Sequence, residues 1–300
     1  MTTVAPTVIV ILLWLSRSAR SVDDDRQGDP PVTSSPTYWE GRTAVVTGAT
    51  KGIGRATAQV LAGLGSHVIL HGRSADDADL LAASIRSAGG TATVALGDLR
   101  DAAMPTQLIR AALDATGRVD LLVNNAGANV FRGTLDASIS DWNDCLNLDL
   151  RAVWLCAKAA AAVMAPGSAM VNITSNHANS TLPGIFPYNV AKAGVNALTQ
   201  SLAIELAARG IRVNAVAPGY IDTPINEEYF STFSDPAEAR AAAEALHPLN
   251  RLGTSTEVAH AIEFLGDSSR SGFTTGTILT IDGGRSALLQ DPARESEAER

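Results

Sequence analysis

The chain has 300 residues, of which 46% are hydrophobic and 18% charged, and a formal net charge of -8. That content over that length is enough for one large core, while the acidic balance disfavours a nucleic-acid surface and adhesion to anionic lipid. Two cysteines and five scattered histidines exclude a disulfide framework and offer no metal-ligand spacing, so no metal is expected.

The first segment, residues 1–36, stands apart from the rest. Val4 to Leu15 is an apolar run, followed by Arg17 and Arg20 and a polar, proline-containing stretch to Pro36. It is short for a membrane span of about 20 residues and lacks the basic flank of a secretory signal. It is read as an extension outside the fold or, at most, a weak anchor of residues 4–15 that leaves the body of the protein cytoplasmic.

The domain itself is expected over residues 37–287, with an acidic tail at 288–300. It opens on TAVVTGATKGIG, Thr43 to Gly54, a β-branched run leading through Gly48, Gly52 and Gly54 into a helix. Ile53, Ala56, Val60, Leu61 and Leu64 suit the buried stripe of that helix. Glycines in such a turn let the backbone approach a phosphate, and the helix start offers unpaired N–H groups. The spacing G-x-x-x-G-x-G differs from the G-x-G-x-x-G dinucleotide fingerprint.

Further strand-like runs centre on Ile69, Val94, Leu122, Val171, Val213 and Leu279 and alternate with helical patterns. This alternation predicts an α/β fold, a Rossmann-type doubly wound parallel sheet of about seven strands in a single domain. Leu121 to Gly127, LLVNNAG, ends in two amides that suit either ligand contact or local capping. Cys145 and Cys156 fall in one predicted helix, too far apart along its axis to be bridged, and are read as small buried residues. AMVNITS, Ala169 to Ser175, is a third strand ending in polar groups. In open parallel sheets ligands bind beyond the carboxyl ends of the strands, so these features converge on one crevice.

Tyr188 and Lys192 lie one turn apart in a stretch that reads as helix throughout. At that spacing an ammonium is held beside a phenol, which favours phenolate and lowers the tyrosine pKa from about 10. The pair makes a proton donor and acceptor for neutral pH.

With these motifs in order, the chain resembles the short-chain dehydrogenase/reductase family from about Gly41 to Gly284, through TGATKGIG, GDLRD, NNAG, the Ser175, Tyr188 and Lys192 set, APGYIDTP and LTIDGG. The resemblance implies that Ser175 binds the substrate oxygen, that Tyr188 passes the proton, and that Lys192 depresses the tyrosine pKa and holds the nicotinamide ribose. It also implies a cofactor cradle of Gly48, Thr50, Lys51, Gly52, Ile53, Gly54, Arg73, Ser74, Asp98, Leu99, Asn125, Ala126, Gly127, Tyr188, Lys192, Pro218, Gly219, Ile221 and Thr223. Asp98 suits an adenine contact or a loop cap. Where the family often has asparagine, this chain has Asp149, which is read either as a residue that strengthens the lysine charge and keeps the proton relay or as a structural substitution.

The strand HVILH, His67 to His71, is followed by Gly72, Arg73 and Ser74 with no acid until Asp76. Arg73, Lys51 and the Ser74 hydroxyl suit a 2′-phosphate, so NADP(H) is favoured, with NAD(H) the alternative. Residues 218–253, with Tyr220, Tyr229, Phe230 and Phe233, are read as a lid or an interface. Asn176, His177, Asn179 and Ser180, followed by Pro183, Phe186 and Pro187, make a polar wall with some aromatics. That wall favours a sugar, polyol or sugar acid. A 3-oxoacyl-thioester reductase and a non-catalytic dinucleotide-binding scaffold are the alternatives. The resemblance further implies a homodimer or homotetramer.

Overall fold

The computed structural model describes residues 38–288; the readings of residues 1–36 and of most of the acidic tail lie outside the described residues. Among the described residues no helix is long and apolar enough to cross a membrane.

Seven strands form one parallel sheet: β1 (Thr43–Val46), β2 (His67–Gly72), β3 (Thr91–Leu96), β4 (Leu121–Asn124), β5 (Ala169–Ile173), β6 (Arg212–Pro218) and β7 (Ile278–Ile281). Their order is β7-β6-β5-β4-β1-β2-β3, so the chain reverses direction between β1 and β4. All seven predicted runs are present. β1 pairs with both β2 and β4, aligning Val45 with Ile69 and with Leu122. Those three face one helical layer together with Met170 and Val213. Their neighbours Val46, Leu70, Val123 and Val171 face the other. Strands covered on both faces must be apolar at successive positions, which is why they read as runs rather than alternations.

Helix α1 (Gly52–Gly63) follows β1. Its buried residues are Gly54, Thr57, Ala58, Leu61 and Ala62, and Leu64 is exposed. Of the expected stripe of Ile53, Ala56, Val60, Leu61 and Leu64, Leu61 is buried and Ile53 packs against the core, Ala56 and Val60 are half-buried, and only Leu64 is corrected to an exposed position. Small side chains let the helix close onto the strands, so the face nearest the sheet is the less hydrophobic one. Helices α2 (Ala75–Ser87) and α3 (Met104–Thr116) complete the crossovers of the first half.

The expected single helix holding both cysteines is interrupted. Between α4 (Ile139–Leu146) and α5 (Ala152–Ala161), residues Asn147–Arg151 form a π-helical turn. Such insertions re-aim one side chain without ending the helix; here the buried member of the turn is Asp149. Both cysteines are free and buried, as expected.

Helix α6 (Tyr188–Ala207) packs behind β5. Between β6 and β7 rise α7 (Pro224–Phe230) and α8 (Pro236–Ala245), the segment read as a lid or an interface, before α9 (Ser255–Gly266) returns to the sheet. The lid root closes where Ile221–Asp222 pairs with Gly253–Thr254. Arg240 of α8 pairs with Asp222, with Glu227 of α7 and with Glu244, gathering both helices and the root around one guanidinium.

Candidate active site

A cleft of about 510 Å³ runs across the carboxyl ends of β1, β2, β4, β5 and β6. That volume lies within the range of small-molecule and cofactor sites. Every expected catalytic and cofactor residue lines it except Gly54 and Ser74. Gly54 sits just behind, where a Cβ would strike the Gly48 carbonyl and the Asn125 amide. Ser74 is the N-cap of α2 and accepts from the Asp77 N–H, which leaves its O–H free to donate. Lys51 is paired with Asp77 at 3.3 Å, which leaves Arg73 as the unpaired cation at that end of the cleft among the described residues.

The glycine turn is built for an anion. Gly48 and Gly52 have φ of +61° and +51°, and no side chain caps the start of α1. The first-turn N–H groups therefore remain for a ligand at the positive end of the helix. Gly72 is needed because a Cβ would lie 2.7 Å from Thr50 Cγ2. The Asn125 amide donates to the carbonyls of Thr47 and Gly48, at 2.9 and 3.0 Å, so its role is to fasten the turn to β4. Asp98 both lines the cleft and accepts from the Arg100 N–H at 2.9 Å, which with the Arg100 guanidinium holds its carboxyl below the ordinary range. The donor set fits a dinucleotide.

At the other end, Ser175 follows β5 and Tyr188 opens α6. Two buried links that sequence reasoning did not anticipate set their spacing. Asn124 donates to Asn172 at 2.9 Å, and Asn172 donates to Thr199 at 2.9 Å, tying β4, β5 and α6 together. Thr174 donates to the Lys192 carbonyl at 2.9 Å. The only sequence signal was polar residues inside otherwise apolar runs. Buried amides satisfied in this way specify one register, since any slip would leave them unpaired.

Asp149 is fully buried, and its Oδ1 lies 3.0 Å from Lys192 Nζ. The carboxylate also accepts from the Ala128 N–H at 3.2 to 3.3 Å, and Nζ donates to the Ile173 carbonyl at 3.3 Å. A Cβ on Gly127 would stand 2.5 Å from Asp149 Oδ1, so the glycine makes room for the pair. Burial raises the Asp149 carboxyl, against the pull of Lys192. Burial alone would lower Lys192, but Asp149 and Tyr188 outweigh it and hold the ammonium pKa above its ordinary value.

Lys192 Nζ is 5.4 Å from the Tyr188 ring centre. The expected lowering of the Tyr188 pKa is not what this environment produces. Burial pushes the phenol up; Lys192 opposes this, Asp149 reinforces it, and Ser175 opposes it. The physical reason is first the burial of the phenol and then the Asp149 carboxylate, which the bare tyrosine–lysine spacing did not include and which offsets part of the lysine's pull.

Substrate-facing residues differ from the expected wall. Asn176 and His177 line the cleft, whereas Asn179, Ser180, Pro183, Phe186 and Pro187 do not. Phe186 stacks on Trp142 instead. In their place stand Phe131, Ile185, Ile225, Tyr220 and Tyr229, with Phe131 edge-on to both Tyr188 and Tyr229. Burial, with the charge of Arg285, lowers the His177 pKa to about 4.

A parallel sheet with a switch-point cleft, a glycine turn and a serine–tyrosine–lysine constellation at its far end defines a dinucleotide-dependent oxidoreductase. Residues 48–286 match a family model described as enoyl-(acyl carrier protein) reductase. The chain is 42% identical over 255 residues to cis-4-hydroxycyclohexanecarboxylate dehydrogenase of Sinomonas cyclohexanicum, covering 82% of this chain and 97% of that one. It is 38% identical to a 3-oxoacyl-[acyl-carrier-protein] reductase of Synechocystis, covering 81% and 96%. A solved short-chain dehydrogenase/reductase from Serratia marcescens superposes with a TM-score of 0.77 at 33% identity, covering 83% and 99%. The chain belongs to the short-chain dehydrogenase/reductase family. It is an oxidoreductase acting on CH–OH groups, with NAD(P)(H) as the family cofactor.

Proposed function

We propose that the protein interconverts a secondary alcohol and its ketone with NADP(H), the reacting carbon being carried on a compact apolar ring. The convergence of Ser175, Tyr188 and Lys192 on one wall of the cleft supports this most strongly. When bound, the nicotinamide accepts or returns a hydride. Ser175 holds the substrate oxygen, and in alcohol oxidation Tyr188 takes the hydroxyl proton as the hydride leaves the carbon. Lys192 keeps its positive charge beside the phenol and holds the nicotinamide ribose. Asp149 positions Lys192 rather than touching substrate. In the Tyr188→Phe variant the cleft keeps its shape but loses the proton carrier. Cofactor binding by fluorescence should persist while turnover of cyclohexanols and cyclohexanones falls by about 100-fold or more; unchanged turnover would remove Tyr188 from this role.

The aromatic lining favours a ring with few hydroxyls over the sugar or polyol that the polar stretch near Ser175 pointed to. The similarity to a hydroxycyclohexanecarboxylate dehydrogenase supports the same reading. The similarity to acyl-carrier reductases keeps a 3-oxoacyl thioester as the second reading. Arg73 carries the preference for NADP(H) over NAD(H), with no acid at the end of β2 to contact the ribose.

We further propose a homo-oligomer that pairs the outer faces of α5 and α6. Trp154 on α5 is 45% exposed and Ile204 on α6 is 78% exposed, which supports this reading. Light scattering that gave a monomer would count against it.

A further inference from the structure

Five cationic side chains line the cleft: Lys51, Arg73, Arg100, Lys192 and Arg285. Lys51, Arg100 and Lys192 are each paired with a carboxylate. Arg73 and Arg285 have none among the described residues, and they stand at different ends. Arg73 follows β2 at the adenosine end. Arg285 shares the substrate end with Tyr220, its guanidinium carbon lying 5.1 Å from the centre of that ring.

Arg285 is held there by a built turn. After β7, Asp282 accepts from the N–H groups of Gly284 and Ser286, at 3.1 and 2.8 Å. Gly283 and Gly284 both take left-handed conformations, with φ of +59° and +88°, that bring the chain back over the cleft. Yet the guanidinium gains no protein partner from this arrangement: its Nη1 is buried and makes no hydrogen bond. His177 Nδ1 is buried and unpartnered as well, and Arg285 is near enough for its charge to depress the imidazole pKa. The backbone N–H of His177 donates to Ser175 Oγ at 3.1 Å, which joins this pair of open donors directly to the reacting end of the site. A buried polar group left open costs free energy that a folded chain ordinarily avoids, so two of them on residues that line one cleft point to a partner from outside.

We infer that Arg285, together with His177, forms a subsite for a carboxylate carried by the substrate. The inference rests on the reading of the cleft as an alcohol dehydrogenase site and specifies the substrate class, a ring alcohol or ketone that also bears a carboxylate. A planar guanidinium with an open Nη1 matches one carboxylate oxygen, and neutral His177 in the Nδ1–H form serves the other. Tyr220 supports the guanidinium from one face. Glu228, exposed and lining the same cleft, is the acidic group that would compete with the substrate for Arg285.

The test compares 4-hydroxycyclohexanecarboxylate with its carboxamide and with cyclohexanol, and measures binding of cyclohexanecarboxylate to the NADP-loaded protein by calorimetry. Wild type should prefer the acid to the amide by roughly 10- to 100-fold in kcat/KM, the span of one charge-assisted contact, with the difference in KM. In Arg285→Gln that ratio should collapse toward one, and Arg285→Lys should restore part of it. His177→Phe should weaken the preference less than Arg285→Gln. Equal use of acid and amide by wild type, as would follow if Glu228 filled the site, overturns the subsite while cyclohexanol turnover leaves the dehydrogenase reading intact. Absence of turnover with every alcohol would sink that reading instead; calorimetry then decides the subsite alone, since cyclohexanecarboxylate binding equally to wild type and Arg285→Gln, or to neither, overturns it.

Discussion

Lys192 and Asp149 form a buried ion pair of 3.0 Å directly behind the phenol of Tyr188. A carboxylate in that place ties the position of the ammonium to a π turn one element away. It also divides the lysine's field between two neighbours, which makes the proton chemistry of Tyr188 depend on a residue that touches no substrate.

Replacing Asp149 by asparagine should therefore move the pH profile as well as stability. Asp149 raises the Tyr188 pKa, so its removal lowers that pKa, and the rising limb of kcat/KM for alcohol oxidation should shift to lower pH. Leaving the Lys192 charge buried without its partner should cost about 3–5 kcal/mol, read as a lower denaturation midpoint. A limb that stays fixed or moves upward would show that the carboxylate does not govern the phenol.

Gly127→Ala tests the geometry of the same pair without changing a charge. The new methyl would stand 2.5 Å from Asp149 Oδ1 and 3.3 Å from Lys192 Nζ, so one of them must move. Misplacement on this scale should lower kcat by about 10- to 100-fold with the fold preserved in circular dichroism. Wild-type kcat in a folded variant would mean that the pair tolerates displacement.

Arg73→Asp should exchange cofactor preference. The arginine favours a 2′-phosphate, whereas an aspartate repels it and accepts from ribose hydroxyls. KM for NADPH should rise at least about tenfold while KM for NADH falls. If KM for NADPH holds constant, the phosphate is bound elsewhere.

His177 sets an acid boundary for stability. Its folded pKa of about 4 lies below the model-compound value of 6.5, so between these values the unfolded chain binds the extra proton. Stability from this group is present above pH 6.5 and is lost as pH falls toward 4. His71, lowered chiefly by burial, adds in the same direction. Urea midpoints should drop from pH 7 to pH 5, less steeply in His177→Asn; equal slopes would show that His177 is not the source.

Much of this architecture is legible in the sequence because its central strands are buried on both faces and its turns need glycine. Every strand from Thr43 to Ile281 announces itself as an apolar run, and Gly48 with Gly52 marks the place where a phosphate can approach the helix. The site is less legible where it depends on partners far apart in the chain. Nothing near Lys192 announces Asp149, which reaches it only because the helix gains one residue per turn at Asn147–Arg151. Arg285 follows a glycine pair that reads as an ordinary turn, and its open Nη1 exists only in three dimensions. The wall beside Ser175 misleads for a related reason: Asn179 and Ser180 are close in sequence, but the chain has already left the cleft.

The chain of Asn124, Asn172 and Thr199 has a consequence for how this protein can change. It anchors the proton-handling residues to the interior of the sheet, while Tyr220, Ile225 and Tyr229 of the cleft wall sit on the flap between Pro218 and Gly253 and Arg285 sits on the turn after β7. Because the two are fastened to different parts of the molecule, substitutions in the flap can broaden or redirect what the protein accepts without retuning the chemistry beneath it. Chemistry and choice of substrate are in this sense separately heritable.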